Sequence, residues 1–288
     1  MFLLRRALFA SFDDGLFTIA KGAAYSALLS FFPVLATAAT VFVQTRAHFV
    51  QDRLMSFLSQ VLPPGTQETV MQQFHFRGKR PAALLVVAVI LSLWAGSSVI
   101  KSLIDGFNAA YHVPKNRSIL AHAGIGMMLA ILSLVPLLGA TSLILFGGAI
   151  ESVVMRWIKV DPILNPFASG WLLLSRLMQY VIAFAATSSL TAMLYYYGPF
   201  RKQRWSRVWP GAILATILWL LATVVFGWYV RNITNYNVLY GSVGTSMALL
   251  IWMYLLAAIA LFGCEFNAEY ERQSTSVLPP MKETGVMK

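Results

Sequence analysis

The chain has 288 residues, 58% of them hydrophobic and 11% charged, where a soluble domain carries about 45–50% apolar and about 25% charged residues. Too little polar surface remains to keep a globule of this size in water, which disfavours a soluble enzyme, a disordered chain and a secreted disulfide scaffold. Twenty-two Lys or Arg against 11 Asp or Glu give a net charge of +11, which fits a membrane protein, with nucleic-acid binding open until the basic residues are located.

Residues 1–21 are basic and then apolar, in the manner of a signal peptide, but Asp13-Asp14-Gly15 interrupts the apolar stretch. An amphipathic cytoplasmic segment on the membrane surface fits better. Leu4, Leu8 and Phe12 fall at helical spacing beside Arg5 and Arg6. A helix needs about 20 mostly apolar residues to cross the hydrocarbon core. Six stretches qualify: 22–43, 82–104, 123–150, 171–195, 209–230 and 240–263. The third is long enough to tilt or kink at Pro136. Open sheet edges are not tolerated in a bilayer and barrel-type alternation is absent, so the predicted fold is an all-α membrane bundle of six helices. The long segment 44–81 carries Val50, Leu54, Phe57, Leu58, Val61 and Leu62 at helical spacing. Pro63-Pro64-Gly65 breaks it, and Val70, Met71 and Phe74 follow. It reads as two short helices, lying at the outer interface or packed on each other above it. Residues 272–288 are polar, hold Pro279-Pro280, and are predicted to be a disordered tail. The organisation is therefore 1–21, a membrane domain 22–271, and 272–288. No internal repeat is visible.

Orientation follows the cations. With the N-terminus inside, thirteen Lys or Arg lie on the cytoplasmic side and eight outside, with Arg201, Lys202, Arg204 and Arg207 in one short loop. That bias places both termini in the cytoplasm. Arg176, inside the fourth span, is left over. It snorkels to the outer interface, binds a lipid phosphate, or pairs with Glu151 or Asp161.

Other polar groups within the spans are candidates for a pathway. Gly22, Ser26 and Ser30 stand four apart, as do Ala23 and Ala27, with Tyr25 beside them and Pro33 following, so this ridge serves helix packing or lines a cavity. Trp94 and Ser97 lead into Lys101, Asp105 and Asn108, which share a face at i, i+4 and i+7 near the inner interface. They form a surface ion pair or the inner mouth of a pathway. Trp219 and Tyr240 complete the candidate lining. Cys264, Glu265, Asn267 and Glu269 beyond the sixth span read as a solvated helix face. The lone cysteine excludes an internal disulfide and any zinc site built from cysteines. The scattered histidines form no ligand motif. No metal, cofactor or P-loop is expected.

Four blocks resemble the YihY/BrkB family of bacterial inner-membrane proteins, once labelled ribonuclease BN. They are Ala24-Tyr25-Ser26-Ala27-Leu28-Leu29-Ser30-Phe31-Phe32-Pro33; Asn108 to Tyr111 with Arg117; Pro210-Gly211-Ala212 with Trp219, Phe226 and Tyr229; and Tyr240-Gly241-Ser242-Val243-Gly244 with Trp252-Met253-Tyr254 and Gly263-Cys264-Glu265-Phe266-Asn267-Ala268. The resemblance implies six spans, cytoplasmic termini, the inner membrane and a role in the cell envelope, often suggested to be transport of lipids. RNA cleavage needs a metal–carboxylate cluster or an acid–base pair. The acids and histidines here show no such spacing, so the sequence disfavours a nuclease. The leading expectation is a transporter or flippase-like protein for a lipid or other anionic amphiphile. A non-transporting envelope scaffold is the alternative, and a membrane-bound enzyme a third reading. The expected partners are membrane lipids and not nucleic acid; a homo-oligomer or envelope-protein partners are left open.

Overall fold

A computed structural model describes residues 2–45, 82–114, 122–134, 168–232 and 241–276. Seven α-helices and no strand occur among these residues. They are α1 (Phe2–Asp13), α2 (Leu16–Thr45), α3 (Ala82–Ala110), α4 (His122–Leu134), α5 (Ala168–Tyr197), α6 (Trp205–Asn232) and α7 (Gly241–Ser276). Five of them, α2, α3, α5, α6 and α7, are long and apolar enough to cross a membrane. The third predicted span is described only through α4, and its remainder lies outside the described residues. So do Tyr240, residues 46–81 and residues 277–288.

Several boundaries differ from expectation, each for a physical reason. The chain turns at Gly15, whose φ of 66° is left-handed and costs glycine little. The first span therefore begins at Leu16, not at residue 22. Pro33 lies inside α2 without ending it, and the Thr37 hydroxyl donates to the Pro33 carbonyl at 2.9 Å. Predicted to end at 263, the last span continues as helix through Ser276. Residues 272–276, expected in a disordered tail, belong to that helix.

The main core is built from small residues. Ala20 and Ala23 of α2, Ala110 of α3, Ala192 of α5, Ala212 and Ala215 of α6 and Ala257 of α7 are buried around Phe107, Tyr195 and Leu261. Without water to drive helices together in lipid, close van der Waals approach has to do so, and small side chains permit it. The closest approach is between α6 and α7. A Cβ on Gly211 would lie 2.1 Å from the Gly263 carbonyl oxygen, and one on Gly263 would lie 2.7 Å from the Ala215 Cβ. The expected ridge is used in part: Ala23 and Ser30 are buried, Ala23 packing with Leu16 and Ala20 in the main core, whereas a Cβ on Gly22 meets nothing within 4 Å.

This core joins the start of α2, the ends of α3, α5 and α7 and the start of α6, so these points share one end of the bundle, here called the near end. Toward the far end a smaller cluster unites Phe226 with Ala248, Leu249 and Trp252. Large apolar side chains such as Ile90, Tyr180, Leu221 and Val224 are exposed on the helix flanks, as expected of surfaces that face hydrocarbon.

Candidate functional site

The most polar part of the described structure is the near end. It begins with Asn267, buried in α7. Its Oδ1 accepts the Gly211 N–H at 2.7 Å and its Nδ2 donates to the Val208 carbonyl at 2.9 Å. Pro210 lacks the N–H that would reach the carbonyl four residues back, and beside it Asn267 adds a side-chain bond to each of two backbone groups where α6 and α7 touch. Asn108 does the same service for the α5–α6 connection, accepting the Phe200 N–H at 2.8 Å. Tyr195 donates its hydroxyl to the Ala260 carbonyl at 2.6 Å. Gln203 donates to the carbonyls of Tyr195 and Tyr196, closing α5.

Below this layer is an ion network. Arg272 of α7 donates from Nη1 to Glu265 Oε1 at 3.2 Å and to Glu269 Oε1 at 2.5 Å. Its Nη2 donates to the Ala110 carbonyl at 2.7 Å and to His112 Nδ1 at 3.3 Å. His112 Nε2 donates to Asp14 Oδ1 at 2.8 Å. Arg6 of α1 meets Glu269 Oε2 at 3.3 Å. Beside it, Arg201 and Arg207 both hold Glu271 Oε1, at 2.7 and 3.0 Å. The Arg201 guanidinium also lies over the Tyr111 ring at 4.4 Å. Burial pushes the Tyr111 phenol well above its ordinary range, so it stays neutral under that cation. His112 has a φ of 52°, in the left-handed region. This backbone turn aims the imidazole at both Asp14 and Arg272.

Glu265, Asn267 and Glu269, read from sequence as a solvated face, are thus buried. The α7 stripe at 265, 269 and 272 meets α1, the α1–α2 turn and the end of α3, and those partners are too remote in sequence to be read from spacing. Arg6, Asp14, His112, Tyr195, Gln203 and Arg272 were not singled out as site residues. The one sequence signal for Arg272 is its position three and seven residues after two acids on the same helical face.

The predicted pathway residues are not gathered around one polar cavity. Tyr25 and Trp94 are 61% and 63% exposed. Ser30 and Ser97 are buried and donate to their own helices, at the Ala27 and Trp94 carbonyls. Ser26 is half-buried on α2. Asp105 reaches His122 of α4 at 3.9 Å, Lys101 packs against Gly126, and Asn108 faces the α5–α6 connection, so the three separate. Trp219 keeps its indole Nε1 buried without a hydrogen-bond partner. Trp252 is buried in the far cluster and Tyr254 packs against the main core. Gly241 opens α7. Arg176 lies in α5, but its side chain is outside the described residues. An apolar groove of about 400 Å³ runs between α6 and α7, lined by Leu218, Leu221 and Val225 on one side and Leu255 and Ile259 on the other, with Tyr229 at its far end. Among the described residues no group of three or more His, Cys, Asp or Glu is placed to hold a metal ion.

The model of the family described as virulence factor BrkB matches residues 10–286. The chain belongs to the BrkB family. Relatives of this BrkB-family chain include the putative ribonuclease-like protein YfkH of Bacillus subtilis, 28% identical over 85% of this chain and 86% of its own length. A UPF0761 membrane protein of Tolumonas auensis is 26% identical over 93% of this chain and 87% of its own. Another, from Alkalilimnicola ehrlichii, is 27% identical over 84% of this chain, which covers 52% of that longer relative. No solved structure gives a significant match. The BrkB-family motif positions Pro210, Gly211, Glu265 and Asn267 meet in the near-end site, where the first three turns of α6 rest on α7.

Proposed function

We propose that this protein is a six-span bacterial inner-membrane protein, with both termini in the cytoplasm, that moves a lipid or another anionic amphiphile across the bilayer and is not an enzyme. The observation that carries the reading is the apolar α6–α7 groove. It is lined by apolar side chains, Leu221 and Val225 among them exposed on the flank of α6, and reaches Tyr229, an aromatic suited to the headgroup level. Membership of a membrane-protein family and the cationic near end, which suits anionic headgroups, agree with it. Parity supports the sixth crossing. The chain leaves α3 at the near end, starts α4 there beside Asp105 and Phe200, and enters α5 from the far end. We take this parity as support for the sixth span of the proposal, of which α4 is the described part.

The test is reconstitution into liposomes with a fluorescent phospholipid, with and without a proton gradient. Accelerated movement of the label is expected. No movement under either condition overturns the reading. Leu221→Trp and Val225→Trp, which fill the groove, are expected to slow movement several-fold. Arg176→Ala leaving the rate unchanged would remove that residue from the pathway. A second reading, an envelope scaffold that moves nothing, is favoured by the tightly packed near end and the dispersed polar candidates. It predicts partner proteins that co-purify stably and tolerance of both groove substitutions.

A further inference from the structure

Glu265 is 0% exposed, and its Oε2 is buried with no hydrogen-bond partner among the described residues. Its other oxygen takes one bond from Arg272. A bare carboxylate with an idle buried oxygen pays desolvation without recovering it, whereas the neutral acid loses far less.

The hydrogen bonds around it fix the charge count. Arginine only donates, so His112 Nδ1 must accept from Arg272 and carries no proton. A carboxylate only accepts, so His112 Nε2 must donate to Asp14. The imidazole is therefore the neutral tautomer. Three acids remain in this cluster, Asp14, Glu265 and Glu269, against two guanidiniums, Arg6 and Arg272. One negative charge is left over.

The neighbouring groups do not cancel it. Arg201 and Arg207 share the single carboxylate Glu271, and their side chains are 30% and 34% exposed, so their surplus charge is screened by water. Tyr111 and Cys264, the other titratable groups beside Glu265, are neutral as phenol and thiol. Asp14 and Glu269 also keep one buried oxygen without a hydrogen-bond partner, but Arg6 lies 3.3 Å from that oxygen of Glu269 and the Asp14 side chain is 15% exposed. Glu265 is the deepest.

We propose that Glu265 is a proton-binding site. In the closed bundle its carboxyl holds one proton on Oε2, and loss and rebinding of that proton (–COOH to –COO⁻ plus H⁺) couples the near end to a transmembrane proton gradient. The coupling clause rests on the transport reading above, but the proton site does not.

Two measurements separate them. Infrared difference spectra of the purified protein in detergent are expected to show a protonated-carboxyl band at neutral pH that disappears as pH is raised and is absent in Glu265→Gln. Glu269→Gln removes one acid and restores charge balance, so in that variant the band is expected to disappear at lower pH than in wild type. A wild-type protein with no such band, or a band unmoved by Glu269→Gln, overturns the site, and this arm stands even where Glu265→Gln fails to fold. In proteoliposomes a pH gradient is expected to change the rate of lipid movement by wild type, and the response is expected to be lost in Glu265→Gln. A response retained in Glu265→Gln overturns the coupling. If wild type moves no lipid, the transport reading and the coupling fall together, and the infrared result still decides the site.

Discussion

Asn267 carries more structural duty than its size suggests. Both ends of its amide are spent on backbone groups of α6 at a buried contact. Asn267→Ala removes a side-chain partner from a buried N–H and from a buried carbonyl, each costing about 1–2 kcal/mol. The expected loss is about 2–4 kcal/mol, read as a fall in the unfolding midpoint in detergent, and Asn267→Asp is expected to rescue only the bond to Gly211. Gly211→Ala fails for a different reason. Its new methyl would meet the Gly263 carbonyl oxygen at 2.1 Å, and backbone cannot swing aside as a side-chain tip can. A loss at or beyond the upper end of the usual overpacking range, about 3 kcal/mol, is expected. Thr216→Val is the mild control. It removes the buried acceptor of the Ser188 hydroxyl at little change in volume, for about 1 kcal/mol.

At the scale of the element, α1 is held in two ways. Ala7 and Ser11 are buried against the bundle, and Arg6 pairs with Glu269. Arg6 is about half exposed, so its pair is worth at most about 1 kcal/mol and weakens with salt. Arg6→Ala is therefore expected to loosen α1 without unfolding the bundle, seen as faster thiol labelling of a cysteine placed at Ser11. Arg272→Ala strips a donor from two buried acids and from the Ala110 carbonyl. About 3 kcal/mol is expected, the low end for breaking a buried pair because Arg272 is itself partly exposed. The contrast explains what sequence reading reaches. Spans 82–104 and 209–230 were legible because a run of apolar residues carries its own address in the bilayer. The Gly-Cys-Glu-Phe-Asn-Ala block was visible through resemblance, but its burial was not. A charged stripe at a helix end looks the same whether it faces water or Arg6, Asp14 and His112. Only long-range packing distinguishes the two. The small-residue ridge of α2 was legible only in part, Ala23 being buried and Gly22 open, for a related reason. Small residues four apart permit a close contact and do not say which helix, if any, supplies it.

For the whole molecule, the near end gathers α1, the α5–α6 connection and the end of α7 on one side. Cysteines placed at the exposed positions Ser206 and Ser274 are expected to react with an impermeant maleimide only after spheroplasts are opened. Labelling of either in intact spheroplasts would reverse the proposed orientation. The native Cys264 is buried and supplies a silent background. The same arrangement bears on how the chain is made. Residues 6, 110, 208 and 211 each find a partner on residues 265–272 of α7. The translocon delivers α7 after the other described helices. Every earlier helix must therefore enter the lipid with its binding site for α7 vacant, its polar groups waiting on water or on chaperoning lipids. Closure of the bundle becomes a single late event of biogenesis, and chains that stop before Asn267 are expected to insert normally and then be degraded by membrane proteases, measurable as a short half-life at unaltered insertion efficiency.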